Sequence, residues 1–458
     1  MQVNELLTVS ISDLELGGKA VARHDGRVVF VDRGLPGDEV VARVTRAKRT
    51  FAEARLERVE RGSPDRQPAP CPHAERCGGC RFQELRYERQ LEIKERLVRE
   101  TLARLGGIAE APVTAIVPAP ERFHYRNKME FSFQPAEDGS PRLGLHERGA
   151  FDRIFELETC LLPSPLTVEI VRLTQRFARE HRWRAYHPRR HEGIVRFLTV
   201  RHLPITDQCA VHLVCASEEI PSLDAWAREV AALSPAVRTV TLLLNRTRAN
   251  VATGESERVL LGPGVIVERL AGLEFEVSGS AFLQTNSRQA EALYARALEA
   301  ASLEGHECVL DLYCGTGTLT LMLARAAGEA IGVESVPESI ERARMNAVRN
   351  RIVNARFEAG EARAVLREWA RGERPRAPKP EVVVVDPPRA GLHARVVARV
   401  AELAPRRIVY VSCNPATLAR DLRDFAARGY ALAEVAPFDL FPHTPHIECV
   451  ALLTRAES

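Results

Sequence analysis

One stretch limits what this chain can fold into more than any other. Cys308-Val309-Leu310-Asp311-Leu312 reads as a buried strand that runs into a glycine-rich turn, Tyr313-Cys314-Gly315-Thr316-Gly317-Thr318, and Leu319 to Ala326 continues as helix. A strand, a glycine turn and a helix in that order begin a doubly wound α/β unit, in which the glycines let the backbone approach a ligand. A second strand, Ala330-Ile331-Gly332-Val333-Glu334, ends in a carboxylate nineteen residues after Gly315. Folds of this kind hold a ribose diol at that place. The turn lacks the full Gly-x-Gly-x-x-Gly fingerprint and any Walker lysine, so an adenosyl ligand other than a nicotinamide dinucleotide or ATP is expected.

The same unit supplies candidate chemistry. Val382-Val383-Val384-Val385 ends in Asp386-Pro387-Pro388-Arg389-Ala390-Gly391-Leu392, and Ile408-Val409-Tyr410-Val411 leads through Ser412-Cys413-Asn414-Pro415 into a helix. Ligands of such sheets bind outside the carboxyl ends of the strands, which puts Asp386 and Cys413 on the ligand side. A cysteine before a helix N-terminus is expected to favour the thiolate, although a strand-end cysteine taken alone is more often a small core residue. Glu448 opens a terminal apolar strand, where partial burial would raise its pKa towards proton transfer; alone it reads as a solvated strand end.

Upstream, Cys71-Pro72-His73-Ala74-Glu75-Arg76-Cys77-Gly78-Gly79-Cys80 places three thiols in ten residues. That is a metal signal one ligand short of a closed site, with the isolated Cys160 as the nearest later candidate. Zinc, with His73 as a further ligand, and an iron–sulfur cluster are equally compatible with the spacing. Residues 1–62 alternate short strands with turns, as in a small β-barrel, and a proline-rich linker connects Ser63 to Pro70. Phe82 to Leu105 is expected to be a helix that spaces the cysteines from the strands downstream. From Ile108 to Ser280 the pattern is strand-rich, with one helical interlude near Val168 to Glu180.

A chain of 458 residues is too long for one core. Five of the 64 basic residues are lysine, leaving 59 arginines, which suits phosphate contacts but is equally the mark of a GC-rich genome. His181-Arg182-Trp183-Arg184-Ala185-Tyr186-His187-Pro188-Arg189-Arg190-His191 has no carboxylate, and it is expected to form an electropositive face with stacking aromatics for single-stranded RNA. No apolar run reaches membrane-spanning length and no secretory leader is visible, so a cytoplasmic protein without a membrane partner is expected.

Several of these stretches together resemble a known family. Leu16-Gly17-Gly18-Lys19, Gly26-Arg27-Val28-Val29-Phe30-Val31 and Leu35-Pro36-Gly37-Asp38 resemble a TRAM domain, an RNA-binding barrel. CGGC at 77–80, Phe282-Leu283-Gln284-Thr285-Asn286, DLYCGTGT at 311–318, DPPRAGL at 386–392, SCNPATLARDL at 412–422 and HIEC at 446–449 are similar to the RNA uracil-5 methyltransferases, closest to the TRAM-bearing, iron–sulfur branch that modifies 23S ribosomal RNA. The resemblance implies three domains: a barrel over 1–62, a central α+β domain over 63–280 carrying a [4Fe-4S] cluster on Cys71, Cys77, Cys80 and Cys160, and a Rossmann-like class I methyltransferase domain over 281–458. It implies S-adenosylmethionine contacts from Gln284, Tyr313, Thr318, Glu334, Glu361 and Asp386, Cys413 as nucleophile and Glu448 as base. The family often has Asn at 318 and Asp or Asn at 361, so these two positions depart from its pattern. The expected substrate is RNA, 23S rRNA ahead of tRNA, and the expected state is a monomer.

Overall fold

The computed structural model describes all residues except 151, 280, 282, 372–377 and 457–458. Phe282, the first residue of the motif at 282–286, therefore lies outside the described residues. The N-terminal strands β1 (Leu6–Leu14), β2 (Ala20–His24), β3 (Arg27–Val31), β4 (Glu39–Ala47) and β5 (Phe51–Arg61) close into a barrel in the order β1-β2-β3-β5-β4. Strict alternation turns Leu7, Val9 and Ile11 of β1 inward and their neighbours to solvent, as a half-buried strand requires. The segment after the barrel is fastened to it. Fully buried Asp38 accepts the N–H groups of Leu35 (2.7 Å) and Ser63 (2.8 Å) and a two-pronged bond from Arg66 (3.0 and 2.8 Å).

Helix α1 (Tyr87–Gly106) starts five residues later than expected, because Phe82 to Leu85 form a turn with Leu85 N–H on the Phe82 carbonyl (3.0 Å). It stops at Gly107, whose φ of 72° is left-handed and suits glycine. Rather than spacing two domains, α1 packs with the barrel and the C-terminal sheet in one core that includes Ile93, Leu97, Val98 and Leu102.

The central sheet runs β12-β11-β10-β9-β6-β7-β8, built from β6 (Lys128–Pro135), β7 (Pro141–His146), β8 (Ile154–Glu156), β9 (Val195–Leu203), β10 (Gln208–Cys215), β11 (Val237–Leu244) and β12 (Ser256–Leu261). Two helices accompany it, the expected α2 (Pro165–Glu180) and also α3 (Leu223–Ala232), for which the sequence offers only a short apolar period. A hairpin of β13 (Ile266–Leu270) and β14 (Leu273–Val277) leads to α4 (Ser287–Ala301).

The C-terminal sheet contains β15 (Cys308–Leu312), β16 (Glu329–Glu334), β17 (Ala355–Ala359), β18 (Val382–Val385), β19 (Arg407–Ser412), β20 (Tyr430–Phe438) and β21 (Glu448–Arg455), in the order β17-β16-β15-β18-β19-β21-β20. Helices α5 (Thr318–Ala324), α6 (Pro337–Arg349), α7 (Ala362–Ala370), α8 (Ala394–Leu403) and α9 (Pro415–Ala426) alternate with the strands. The first five sheet positions are parallel, and β21 enters antiparallel between β19 and β20. Interior strands of such a sheet are buried on both faces, and all four valines of β18 are fully buried, each contributing about 1.5–3 kcal/mol by area. Strand order reverses between β15 and β18, which opens a crevice at their carboxyl ends.

Candidate active site and four-cysteine centre

Tyr313, Thr318, Glu334 and Asp386 stand at or just past the carboxyl ends of these parallel strands. Gly315 and Gly317 take φ of 54° and 82°, and a Cβ at Gly317 would come within 2.8 Å of the Phe357 ring, so the turn is compact enough only for glycine. Glu334, at the end of β16, accepts the Gly315 N–H (3.3 Å) on one oxygen and the Val336 N–H (2.9 Å) on the other. Thr318 begins α5 and is buried, while Tyr313 sits at a left-handed φ of 67° and is half-buried. Burial, then the charges of Glu361, Asp421 and Glu334, push the Tyr313 phenol up to about 12; Glu361 is exposed, directly before α7. Gln284, buried just before α4, is held through its carbonyl by the Asn127 amide (2.9 Å).

Three strand ends bring Asp386, Cys413 and Glu448 together. Parallel pairing of Val385 with Tyr410 sets Asp386 beside the end of β19, and antiparallel pairing of Ser412 with Cys449 sets Cys413 opposite Glu448. Burial pushes Asp386 up to about 7. Burial, then the charge of Asp386, pushes Glu448 well above the usual carboxylate range. The Cys413 thiol is pushed up to about 11 by burial, then by Glu448 and Asp386, while its own N–H and Arg389 oppose the rise. A helix N-terminus alone was expected to favour the thiolate, but burial and two carboxyls outweigh it.

The loop after Asp386 is tied to α9, the helix that begins just past Cys413. Asn414 caps α9 by accepting the Ala416 N–H (3.1 Å) and donates to the Arg389 carbonyl (3.1 Å); Arg420 donates to the carbonyls of Ala390 and Leu392 (3.0 Å each). Buried Asp421 accepts the Leu392 N–H and the Tyr410 hydroxyl at 2.7 Å. Gly391, at φ 75°, leaves no room for a Cβ, which would lie 2.6 Å from Arg420 and 2.7 Å from Asp421.

Cys71, Cys77, Cys80 and Cys160 line one cavity of about 790 Å³ and none is in a disulfide. Burial pushes Cys80 and Cys160 up to about 12, and each also senses the charges of Cys77 and Cys71, so the four thiols form one group. The Gly79 N–H donates to the Cys77 sulfur (3.3 Å). Among the described residues no three of these sulfurs lie within 4.8 Å of one another. Four thiolates on one tetrahedral zinc would stand about 3.8 Å apart. His73 spends Nε2 on the Glu158 N–H (3.2 Å) and packs on the Phe155 ring, so it is not free to complete the set through that nitrogen.

A loop between β20 and β21 joins the two centres, and the sequence carries no signal for it. Lys94 of α1 donates to Asp439 (2.6 Å), with the two residues 1 % and 0 % exposed, and Tyr87 donates to the same carboxylate (2.8 Å). Gln90 accepts the His443 N–H (3.0 Å), while the His443 carbonyl accepts the N–H groups of Arg81 (2.8 Å) and Phe82 (3.0 Å), directly after Cys80. A lysine and a glutamine on the apolar face of α1 could have been noticed as odd, but their partners lie about 350 residues away.

Two expected RNA-binding features take a different form. In the barrel, Glu57 pairs with Arg43 (2.9 Å) and Arg55 (3.1 Å), Glu53 with Lys19 (3.0 Å) and Glu39 with Arg61 (2.6 Å), so these four cations are already matched by carboxylates of the barrel itself. Within 181–191 the arginines at 182, 184, 189 and 190 are exposed, but Trp183 (1 %) and Tyr186 (7 %) are core residues. Trp183 packs against Phe177 and Trp226, and Tyr186 lies under the Arg196 guanidinium, so neither offers a stacking surface.

A family model described as tRNA (Uracil-5-)-methyltransferase matches residues 86–456, and a TRAM domain model matches residues 1–56. The chain is 37 % identical over 457 residues to an uncharacterized RNA methyltransferase of Bacillus cereus, covering 100 % of this chain and 98 % of the relative. It is 41 % identical over 455 residues to another from Nitratidesulfovibrio vulgaris, covering 98 % and 96 %. Among solved structures it is similar to the Pyrococcus abyssi tRNA (uracil-54, C5)-methyltransferase in complex with S-adenosyl-L-homocysteine, with a TM-score of 0.78, 30 % identity and coverage of 98 % and 100 %. With a TRAM barrel at its head and a doubly wound methyltransferase sheet at its tail, this chain belongs to the tRNA (uracil-5-)-methyltransferase family and is an RNA methyltransferase.

Proposed function

We propose that the enzyme methylates C5 of a uridine in RNA, most specifically in 23S rRNA, through a covalent bond from Cys413 to C6. The observation that carries this is the meeting of Cys413, Glu448 and Asp386 at three neighbouring strand ends, close enough for each carboxyl to raise the thiol. Uracil C5 is a weak nucleophile. Addition of the Cys413 thiolate to C6 drives the C5=C6 electron pair towards O4 and makes C5 reactive. S-adenosylmethionine, the co-substrate, supplies the methyl group that C5 takes up. C5 then bears both hydrogen and methyl; Glu448 takes the hydrogen as a proton, the electron pair restores C5=C6, and Cys413 leaves.

Gln284, Tyr313, Thr318, Glu334, Glu361 and Asp386 are assigned to the co-substrate, with Glu334 suited to the ribose diol and Asp386 also able to meet the pyrimidine edge. A base inside a helix is out of reach, so the uridine is flipped out, and Arg389 with the exposed arginines of 181–191 holds phosphates. The reading assigns 1–62 to the RNA-binding barrel, 63–280 to the cysteine centre and central sheet, and 281–458 to methyl transfer, in a monomer.

Cys71, Cys77, Cys80 and Cys160 are assigned to a [4Fe-4S] cluster. Four thiols in one cavity, none in a disulfide, set wider than a single zinc needs and with an N–H directed at sulfur, fit such a group. The cluster would cross-link the 71–80 loop to the chain at 160. An anaerobic preparation should be brown, hold about four irons per chain and lose its colour in Cys80→Ser; a colourless protein with one zinc overturns the assignment.

The decisive experiment for the reaction uses RNA containing 5-fluorouridine, from which C5 cannot lose a proton. A denaturation-stable protein–RNA adduct should form with the wild type and vanish in Cys413→Ala; its absence from the wild type overturns the mechanism. Mapping 5-methyluridine in RNA from a deletion strain separates 23S rRNA from the second reading, tRNA, which the likeness to the Pyrococcus abyssi enzyme favours. Loss of the modification from tRNA alone overturns the rRNA assignment.

A further inference from the structure

The loop from Asp439 to Ile447 ends directly at Glu448, yet little of its support comes from its own sheet. His443, at a left-handed φ of 65°, is gripped on both sides of its peptide unit. Gln90 Oε1 accepts its N–H (3.0 Å), the amides of Arg81 and Phe82 hold its carbonyl (2.8 and 3.0 Å), and its ring stacks on Phe123 at 4.5 Å. The Gln90 amide nitrogen donates at the same time to the carbonyls of Phe82 (2.9 Å) and Leu85 (2.8 Å). Gln90 is 1 % exposed and touches both the segment after Cys80 and the segment before Glu448.

We propose that Gln90 is a positioning residue for proton removal from C5: one buried amide locks the four-cysteine loop to the Glu448 loop, so the two move as a unit. The inference rests on the reading of Glu448 as the base. It gives the cysteine centre a task in methyl transfer that requires no contact with the uridine. A loosened 71–80 loop withdraws Phe82 from both Gln90 and His443, and Glu448 then loses its fixed position against C5. The chemistry affected is the last step alone, in which the C5 proton passes to Glu448, the electron pair re-forms C5=C6 and the Cys413–C6 bond breaks.

The test compares Gln90→Met, of similar length but without the amide, with Glu448→Gln and the wild type. Each is incubated with total RNA from a deletion strain and S-adenosylmethionine labelled in the methyl group. Label that stays on protein after denaturation is methylated adduct awaiting proton removal. Glu448→Gln should accumulate it, and Gln90→Met should accumulate about tenfold more than the wild type, while forming adduct with 5-fluorouridine RNA at the wild-type rate. Hydrogen exchange should be about tenfold faster at the His443 amide in Gln90→Met and unchanged at the carboxyl end of α1. Accumulation in Glu448→Gln but not in Gln90→Met overturns the inference alone; absence from Glu448→Gln removes the base assignment and the inference with it. Should Gln90→Met fold poorly, Gln90→Leu takes its place in the same comparison. Phe123→Leu removes the ring stacked on His443 while keeping both Gln90 contacts to His443, and serves as the control: accumulation equal to that of the Gln90 variant assigns the effect to general loosening and overturns the role of the amide.

Discussion

In the RNA-free enzyme, Cys413 should be a sluggish thiol. Its environment pushes it up to about 11, so at pH 8 about one molecule in a thousand carries the thiolate, against about a quarter for an ordinary cysteine. Ionisation alone then predicts alkylation by iodoacetamide about 200-fold slower than for a free cysteine, rising tenfold per pH unit towards pH 11. Because ten cysteines are present, the rate is measured on the Cys413 peptide by mass spectrometry. After burial, Glu448 is the largest influence raising this thiol and Asp386 the next. Glu448→Gln should therefore shift the profile to lower pH, and Asp386→Asn should shift it less. A profile that levels off below pH 9 in the wild type would show that the helix N-terminus governs the thiol after all. An unchanged profile in Glu448→Gln would remove the coupling between Cys413 and Glu448.

Three further outcomes rest on single contacts. Lys94→Met leaves Asp439 buried with only Tyr87 as a side-chain partner and should cost about 3–5 kcal/mol, whereas Lys94→Met with Asp439→Asn should recover at least half of that in urea unfolding. Gly391→Ala must either strain a φ of 75° or displace Arg420 and Asp421; a cost of about 1–3 kcal/mol and slower adduct formation with 5-fluorouridine RNA are expected, since Arg389 belongs to the same loop. Burial holds the His443 imidazole down to about 4, against 6.5 unfolded, so it stays neutral in the fold while the unfolded chain takes up a proton. Its contribution is complete above about pH 6.5 and falls by about 1.4 kcal/mol per unit towards pH 4, a slope that His443→Gln should remove from urea midpoints.

What could be read from the sequence was local. An apolar run into a glycine turn, or into Asp-Pro-Pro or Ser-Cys-Asn-Pro, has one sensible place in a parallel sheet, so β15, β18 and β19 and the side chains at their ends could be placed before their neighbours were known. Charge balance and burial were not local. Glu39, Glu53 and Glu57 are plain in the sequence, but which cation each one meets is set by how the chain closes the barrel, and Trp183 looked exposed until α3 covered it with Trp226. Cys413 shows the same limit in its chemistry: a helix N-terminus is visible in ten residues, but the carboxyls that oppose it lie on β18 and β21. Gln90 and Lys94 escaped notice because a helix face reports only its own period, not the loop that will meet it.

The pairing of Lys94 with Asp439 also sets a clock. The two residues are 345 apart in the chain. At the usual pace of synthesis, about 5–20 residues per second, α1 waits roughly 20–70 s on the ribosome before its acid is made. Glu448 comes nine residues later, on a strand that must insert between two already synthesised. Cys413, the glycine turn and the crevice between β15 and β18 can all be in place before then, but Glu448 cannot. An arrested nascent chain and a chain cut before β20 should therefore behave alike, each offering α1 a buried lysine with nothing to receive it.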